Sequence, residues 1–454
     1  MHVRRSGGAA VVGSGPNGLA AAVTLARAGV PVTVFEAAET PGGGPRTAEL
    51  VHPGVVHDVC SAVHPMALAS GFFAAFELTR RVQFVVPDAS YAHPLGVGRA
   101  AVAYRDLART ADGLGRDGAA YARLYAPLLR RLDGVIDFAL GGGMLRLPRD
   151  PLAAFAVATR ALEQGSPLWN LRFRGEAAPA LVTGAAAHNI GPLPGIATAA
   201  VGLVLGALGH ASGWPVPVGG SAAIAQALVA DLRAHGGTIV TGHRVRELGE
   251  LDRFEVKLFD TSAAGLAEIA GAQLPPRYRA ALRRFAFGDA AAKVDFVLDG
   301  PIPWADARVA AAPTVHLGGT RAEIAAAERE VARGRHPARQ YVLLAQPTAF
   351  DPGRNPPGTH TIWSYAHVPH GSTVDMTEAV TARIEAAAPG FRDRIVAVRG
   401  ANAADLARYN PNYVGGDFSA GRVNLRQLIA RPVVSAAPWR TPLPGVYRAS
   451  SATS

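Results

Sequence analysis

The chain has 454 residues, of which 49% are hydrophobic and 18% charged, a composition that supports large buried cores and argues against disorder. The formal net charge of +10 comes almost entirely from arginine spread along the chain, and the sequence has no basic cluster interleaved with aromatics, so nucleic-acid binding is not expected. Cys60 is the sole cysteine, which excludes an internal disulfide, a CxxC redox pair and a cysteine-rich zinc site.

The first predicted elements form a strand–turn–helix unit of the kind that binds dinucleotides. Residues 9–12 are apolar, and Gly13, Gly15 and Gly18 follow in the order G-x-G-x-x-G. Glycine at these places allows a tight turn, close approach of a pyrophosphate to the backbone, and packing of the helix on the strand; the phosphate lies at the helix N-terminus. A β-branched strand then ends at Glu36, where a carboxylate can accept hydrogen bonds from an adenosine ribose.

A second glycine cluster, GGGPRT at 42–47, begins six residues after Glu36. Gly43 and Gly44 suit a backbone that passes close to a second face of the diphosphate, and Arg46 supplies a guanidinium for its charge. A simple glycine–proline loop is the alternative interpretation. The predicted cofactor-binding residues in this part of the chain are Gly13, Gly15, Pro16, Asn17, Gly18, Glu36, Ala37, Gly43, Gly44 and Arg46.

Further segments make the sequence resemble the FAD-dependent amine oxidase and phytoene desaturase superfamily. They are HDVCSAVHP (57–65), LGHASGWPVPVGGS (208–221), KVDFVLDGPIPW (293–304), TVHLGGT (314–320), WSYAHVPHG (363–371) and NPNYVGGD (410–417). The resemblance spans nearly the whole chain and is strongest to the phytoene dehydrogenase-like branch, which includes pyridine nucleotide-disulfide oxidoreductase domain-containing protein 2. The disulfide chemistry in that name does not carry over, because one cysteine cannot form a redox pair.

The resemblance implies FAD as cofactor and an α/β fold, α+β overall, with a Rossmann-like FAD-binding domain on a parallel sheet and a substrate domain with a mixed or antiparallel sheet and helices. The expected FAD-binding segments are 1–74, 206–284 and 421–454, and the expected substrate segments are 75–205 and 285–420. The sequence independently predicts a helix over 222–237 and a strand over 238–248, in which the family places the backbone around Val245 against the adenine. No other G-x-G-x-x-G follows a strand, so a separate pyridine-nucleotide domain is not expected.

Lys293 is the candidate catalytic residue. It is one of two lysines in the chain, and it lies in a predicted strand within FAFGDAAAKVDFVLDG. The resemblance implies that a lysine in this strand approaches flavin N5 through a water. The alternative is a solvated lysine on an ordinary strand.

The predicted substrate cavity draws on aromatic and histidine side chains. In HTIWSYAHVPH, alternation puts Trp363, Tyr365 and His367 on one face of a strand, where they line a cavity or pack in an ordinary sheet core. His64 follows the flavin loop and is a further cavity candidate, with structural hydrogen bonding as the preferred interpretation. No metal site is predicted, because the proline between His367 and His370 prevents a regular helix.

These observations favour an FAD-dependent oxidoreductase that removes hydride from a carbon of a small hydrophobic substrate; a flavin amine oxidase and a non-catalytic dinucleotide-binding or interaction protein are the alternatives. The apolar run 195–209 predicts a buried helix, with peripheral membrane contact as an alternative. The N-terminus runs directly into a strand without an apolar signal region, which predicts a cytoplasmic location. Members of the family normally continue past a last strand with a glycine-rich segment and a helix that cover the flavin, so a sequence that stops at Ser454 is expected to bind FAD less tightly.

Overall fold

A computed structural model describes residues 7–141, 146–451 and 453 of the chain; Ser454 lies outside these ranges. The strands are β1 (Ala9–Val12), β2 (Val32–Phe35), β3 (Thr47–Glu49), β4 (Val56–Asp58), β5 (Phe84–Val85), β6 (Ala89–Gly96), β7 (Arg99–Tyr104), β8 (Val216–Pro217), β9 (Thr238–Val240), β10 (Val256–Phe259), β11 (Ala290–Leu298), β12 (Thr314–Leu317), β13 (Val342–Ala345), β14 (His360–Val368), β15 (Ile395–Ala401) and β16 (Val446–Arg448). The helices are α1 (Pro16–Arg27), α2 (Pro65–Ala69), α3 (Gly71–Ala75), α4 (Leu78–Arg81), α5 (Leu107–Gly113), α6 (Gly118–Leu129), α7 (Leu132–Leu140), α8 (Pro151–Gln164), α9 (Ala177–Ala186), α10 (Ile196–Ala211), α11 (Ala222–Ala234), α12 (Ala263–Ala270), α13 (Pro276–Arg283), α14 (Arg321–Ala332), α15 (Thr377–Glu385), α16 (Ala403–Tyr409) and α17 (Leu425–Ile429).

A five-stranded parallel sheet in the order β16–β10–β1–β2–β9 forms the first layer. Successive residues of β1 point to opposite faces of this sheet, because strand side chains alternate. Ala9 and Val11 enter a core with α1 and α11, whereas Ala10 and Val12 enter a core with α12 and α13. A parallel sheet with helices on both faces is the Rossmann-like arrangement that the sequence predicted.

A seven-stranded mixed sheet forms the second layer, in the order β15–β11–β14–β13–β12–β6–β7. β12 and β6 pair in parallel, and the other pairs are antiparallel. β11 is buried along its whole length and pairs with β14 over nine residues. Helices α6, α8, α9 and α10 build a separate core beside this sheet, and the predicted apolar helix at 195–209 is the buried α10. None of the helices in the described part of the chain has both the length and the apolarity needed to cross a membrane.

The predicted strand over 238–248 is shorter than expected. β9 ends at Val240, and Gly242 adopts a left-handed conformation with φ +65°. The N–H of His243 donates to the carbonyl oxygen of Glu36 at 2.9 Å, so the chain turns across the end of β2. As a result Val245 lies in a loop beyond the strand.

Candidate active site

A groove of about 660 Å³ opens at the carboxyl ends of β1, β2 and β10. Ligands of open parallel sheets bind at this edge. The predicted cofactor residues that line the groove are Gly13, Gly15, Pro16, Asn17, Glu36, Ala37, Gly43, Gly44, Arg46 and Val245. Gly18 lies behind this lining, buried in the first turn of α1. The fold therefore brings together residues from both glycine motifs and from the loop after β9.

The turn between β1 and α1 requires glycine on steric grounds. Gly13 has a φ of +100°, which residues with a side chain rarely adopt. A Cβ atom on Gly13 would lie 2.6 Å from the carbonyl oxygen of Asp260, and one on Gly18 would overlap the carbonyl oxygen of Gly13. Gly15 is the N-cap of α1 and offers no side chain to the free N–H groups of the first turn. The turn therefore presents a positive helix end to the groove.

Glu36 is fixed at the end of β2 and is 9% exposed. Its Oε2 accepts hydrogen bonds from the N–H of Ser14 at 3.0 Å and from the Ser14 hydroxyl, while Oε1 accepts from the N–H of Ala38 at 2.8 Å. Arg46 Nη2 lies 3.6 Å from Oε1. A carboxylate offers about four lone-pair positions, and three are used by these hydrogen bonds, so Glu36 keeps acceptor capacity for one ribose hydroxyl.

The second glycine cluster forms the facing wall of the groove. A Cβ on Gly43 would lie 2.7 Å from Gly15 Cα, so the two glycine turns pack directly against each other. Arg46 Nη2 donates to the carbonyl oxygen of Thr40 at 2.7 Å, and its guanidinium lies 5.7 Å from the ring centre of Tyr409. Arg46 Nε is buried and has no hydrogen-bond partner among the described residues. A buried guanidinium N–H without an acceptor is costly, and a diphosphate oxygen is the acceptor that fits it.

Asp260, Thr261 and Ser450 are among the groove residues that were not predicted from the sequence. Asp260 directly follows β10, and its Oδ2 accepts a hydrogen bond from the N–H of Gly18 at 2.9 Å. The hydroxyl oxygens of Thr261 and Ser450 are buried and have no partner within the described ranges. Their position just past the carboxyl ends of β10 and β16 was the available signal, because sheet ligands bind there.

The residues of the groove fit an adenine dinucleotide such as FAD. Orphaned donors at Arg46, Thr261 and Ser450 suit a polar, anionic ligand, and two glycine turns leave room for it. Val245 is 3% exposed and lies in the groove beside His243, where the family resemblance places the adenine.

A second cavity of about 310 Å³ adjoins the groove, and the two share Gly44, Pro45, Tyr413 and Phe418. Its wall is mainly apolar and aromatic, with contributions from Val59, Trp214, Leu343, Trp363, Tyr365 and Leu406. The rings of Trp363 and Tyr365 lie 5.3 Å apart in an edge-to-face arrangement. A polar groove thus opens into an apolar chamber at a single junction of shared residues.

Lys293 lies on the wall of this cavity, within β11, and is 5% exposed. Its ammonium group donates to the carboxylate of Asp295, two residues along the same face of the strand. Burial raises the pKa of Asp295, and the charge of Lys293 opposes that shift. Among the described residues that line the cavity, Lys293 is the one with a charged side chain. The structure therefore excludes the solvated alternative for this lysine.

The two predicted histidines do not reach the cavity wall. His367 shares a face of β14 with Trp363 and Tyr365, but its Nδ1 hydrogen-bonds Glu328 Oε1 at 2.6 Å. His64 Nε2 hydrogen-bonds the hydroxyl of Ser221 at 2.7 Å, and burial lowers its pKa to about 4. Both imidazoles are held by hydrogen bonds to other side chains. For His64, structural hydrogen bonding is the interpretation that the sequence favoured.

A buried ion-pair network holds the glycine segment before α11 next to β4. Arg354 has a side chain that is 1% exposed, and its Nη1 donates to Asp58 Oδ2 at 2.8 Å. Its Nε donates to Asp351 Oδ2 at 2.8 Å, and its Nη2 donates to the carbonyl oxygen of Pro217 at 2.7 Å. Asp58 Oδ1 also accepts from the N–H of Ser221 at 2.7 Å. The network joins segments that are far apart in sequence.

Comparison with known proteins supports the architecture. Residues 11–76 match the NAD(P)-binding Rossmann-like domain family, whereas no curated protein matches the sequence. The fold is similar to a triple mutant of putrescine oxidase, with a TM-score of 0.61 and 14% identity over 98% of this chain and 95% of that one. It is also similar to cyclohexylamine oxidase from Brevibacterium oxydans (TM-score 0.56, 15% identity, 98% and 93% covered) and to an oxidoreductase from Methanosarcina mazei (0.52, 15%, 98% and 94%).

These similarities extend over nearly the full length of the chain, but at such identities they show a shared fold and not a shared activity. Together with the domain match, they confirm the predicted fold class of a Rossmann-like domain joined to a second domain with a mixed sheet. The phytoene dehydrogenase-like branch and the segment boundaries stay predictions.

Proposed function

We propose that the protein is an FAD-dependent oxidoreductase that takes a hydride from a carbon of a small, neutral, apolar substrate, as the phytoene desaturase-like enzymes do. The observation that carries the proposal is the junction at Gly44, Pro45, Tyr413 and Phe418 between the polar groove and the apolar cavity. A cofactor with an adenylate end and a flat apolar ring suits a site with these two halves.

FAD, when bound, supplies the hydride acceptor, and the chain supplies binding, orientation and a dry cavity. Glu36 and Arg46, which are fixed in the groove by their contacts with Ala38, Thr40 and each other, would hold the polar end of the cofactor. Trp363, Tyr365 and the aliphatic wall exclude water from the cavity. Asp295 orients the ammonium group of Lys293, which is the cationic donor on the cavity wall.

Amine oxidation is the second candidate, because two structures of similar fold are a putrescine oxidase and a cyclohexylamine oxidase. A cationic amine would need a carboxylate, or an aromatic cage without a competing cation, in place of its lost hydration. No carboxylate is among the described residues that line the cavity, and Lys293 adds a positive charge there. These two observations favour a neutral substrate. A non-catalytic dinucleotide-binding protein is the third candidate.

The test is anaerobic reduction of the flavin in the purified, FAD-loaded protein. The loss of the visible absorption band of the flavin monitors the reduction. Neutral polyenes are compared with cyclohexylamine and putrescine as reductants. We expect reduction by a neutral apolar compound, and Lys293→Met slows it by at least about tenfold while the flavin remains bound.

Lys257→Met is the matched control, because Lys257 is the other lysine and lies in β10, away from the cavity wall. We expect this variant to reduce flavin at the rate of the unmodified protein. Reduction by amines alone would support the second candidate, and bound flavin that no compound of either class reduces would support the third. A folded protein that binds no FAD contradicts the proposal.

A further inference from the structure

The carboxyl group of Asp260 occupies part of the site in which a diphosphate is expected. Its Oδ2 accepts from the N–H of Gly18, the third helical residue of α1, at 2.9 Å. A Cβ atom on Gly15 would lie 2.6 Å from the same oxygen, so the carboxyl group lies directly over the N-cap. Asp260 also lines the groove. A side-chain carboxyl therefore sits at the helix end that attracts a phosphate.

An ionised carboxylate and a diphosphate at one helix end repel each other, because both are anions in a partly desolvated groove. A neutral carboxylic acid removes this repulsion and adds an O–H donor for a phosphate oxygen. The hydroxyls of Thr261 and Ser450 lie in the same groove without partners in the described part of the chain, and Ser450 is 8% exposed. These orphaned donors point independently to an anionic ligand beside Asp260.

The charges around Asp260 disfavour its ionised form. Glu36, at the end of β2, is the carboxylate whose charge acts on Asp260, and it is partly compensated by Arg46. The first turn of α1 carries no acidic residue, and its contribution is the backbone N–H groups. Burial is the largest effect and raises the pKa of Asp260 to about 7. The hydrogen bond from Gly18 lowers this pKa, and the charge of Glu36 raises it. The remaining charged or titratable groups that line the groove are His243, Arg244, Glu268, Arg408, Tyr409 and Tyr413.

We propose that Asp260 is a proton-linked ligand of the cofactor diphosphate, which must be protonated for FAD to occupy the N-terminus of α1. FAD binding then takes up one proton at a pH at which free Asp260 is ionised. The inference rests on the proposed FAD site and adds to it a residue that sets the affinity and its pH dependence.

The size of the effect follows from the fraction of protein whose Asp260 is neutral. With a pKa of about 7, that fraction falls from about 0.9 at pH 6 to about 0.1 at pH 8, and the apparent affinity falls in proportion. FAD binding should therefore weaken about tenfold between pH 6 and pH 8, and about hundredfold between pH 6 and pH 9.

The experiment is a titration of full-length apoprotein with FAD, followed by quenching of flavin fluorescence, at pH 6, 7, 8 and 9. It compares the unmodified protein with Asp260→Asn, whose amide accepts from Gly18 and donates to phosphate at every pH. Calorimetry at pH 8 in two buffers of different ionisation enthalpy counts the protons taken up. We expect about one proton for the unmodified protein and none for Asp260→Asn, whose dissociation constant should not change with pH.

His243→Gln is the control, because His243 is a titratable group in the same groove and pairs with Glu250 at 3.0 Å. This variant should keep the full pH dependence. Binding to the unmodified protein that is equally tight at pH 6 and pH 8, or an Asp260→Asn variant with an unchanged pH dependence, overturns this inference alone. Absence of FAD binding at pH 6 in both folded proteins overturns the proposed function and this inference with it.

Discussion

Replacement of Arg354 by methionine tests whether the buried ion-pair network holds the two halves of the site together. The guanidinium donates to Asp58, to Asp351 and to the carbonyl oxygen of Pro217, and its side chain is 1% exposed. Methionine fills a similar volume but removes all of these donors. The carboxylates of Asp58 and Asp351, whose side chains are 0% and 7% exposed, then lose the cation that they share.

Removal of one partner from a buried ion pair costs about 3–5 kcal/mol, because the remaining charge stays desolvated. Here two carboxylates share one arginine, so we expect Arg354→Met to lower the free energy of unfolding by about 4 kcal/mol. Arg354→Lys should recover only part of this loss, since a single ammonium group cannot reproduce the planar fork of three directed donors. The measurement is urea denaturation, and the free energy of unfolding is obtained from the first cooperative transition of each variant.

Arg392→Met is the matched control, because Arg392 pairs with Glu378 on the surface, where both side chains are largely solvent-accessible. No measurable change is expected from it, since exposed ion pairs contribute little. The double variant Asp58→Asn/Arg354→Met should be more stable than Arg354→Met, because it removes one of the uncompensated charges. Arg354→Met with a stability within about 1 kcal/mol of the unmodified protein would refute the reasoning.

Two further predictions concern the groove. Arg46→Met should weaken FAD binding by about tenfold to hundredfold through loss of a charge-assisted hydrogen bond, whereas Arg408→Met, at the exposed rim, should change it little; fluorescence titration at pH 6 decides. Asp260→Asn should stabilise the apoprotein at pH 8 but not at pH 4. The raised pKa of Asp260 means that the folded state holds a proton between about pH 4 and pH 7, so stability is lost as the pH rises through that window. The shift corresponds to about 4 kcal/mol, reduced to about 2 kcal/mol by exposure of the side chain to the groove; equal thermal midpoints for both proteins at pH 8 would contradict this.

The nucleotide half of the site could be predicted because its signals are local. Gly13, Gly15 and Gly18 lie close together in the sequence, and Glu36 directly follows the β-branched run that forms β2. The structure pairs Val12 with Phe35, which puts both turns at the same edge of the sheet. The extent of β9 was harder to predict, because after Val240 the sequence continues with β-branched and polar residues and only Gly242 signals the turn.

The contacts that decide the chemistry are not local. Asp260 meets Gly18 across 242 residues, and no spacing rule connects a residue after one strand to a helix so far upstream. The parallel pairing of β10 with β1 creates this contact. The sequence offered only the general rule that ligands bind beyond the carboxyl ends of parallel strands. His64 and His367 illustrate the converse. Each was a candidate for the cavity because of its neighbours in sequence, with structural hydrogen bonding preferred for His64, and a hydrogen bond to a distant side chain holds each of them away from the cavity wall.

The pair of Lys293 and Asp295 follows from strand periodicity once the burial of β11 is known. Residues 292, 294 and 296 of this strand enter an apolar core, so 293 and 295 must share the opposite face. Two charges on a strand buried along its whole length are a stability cost that an apolar pair of similar volume would avoid. Packing therefore gives no reason for a lysine where β11 meets the cavity, since Ala291 of the same strand lines the cavity with an apolar side chain, whereas a reaction that needs a fixed positive charge on that wall does.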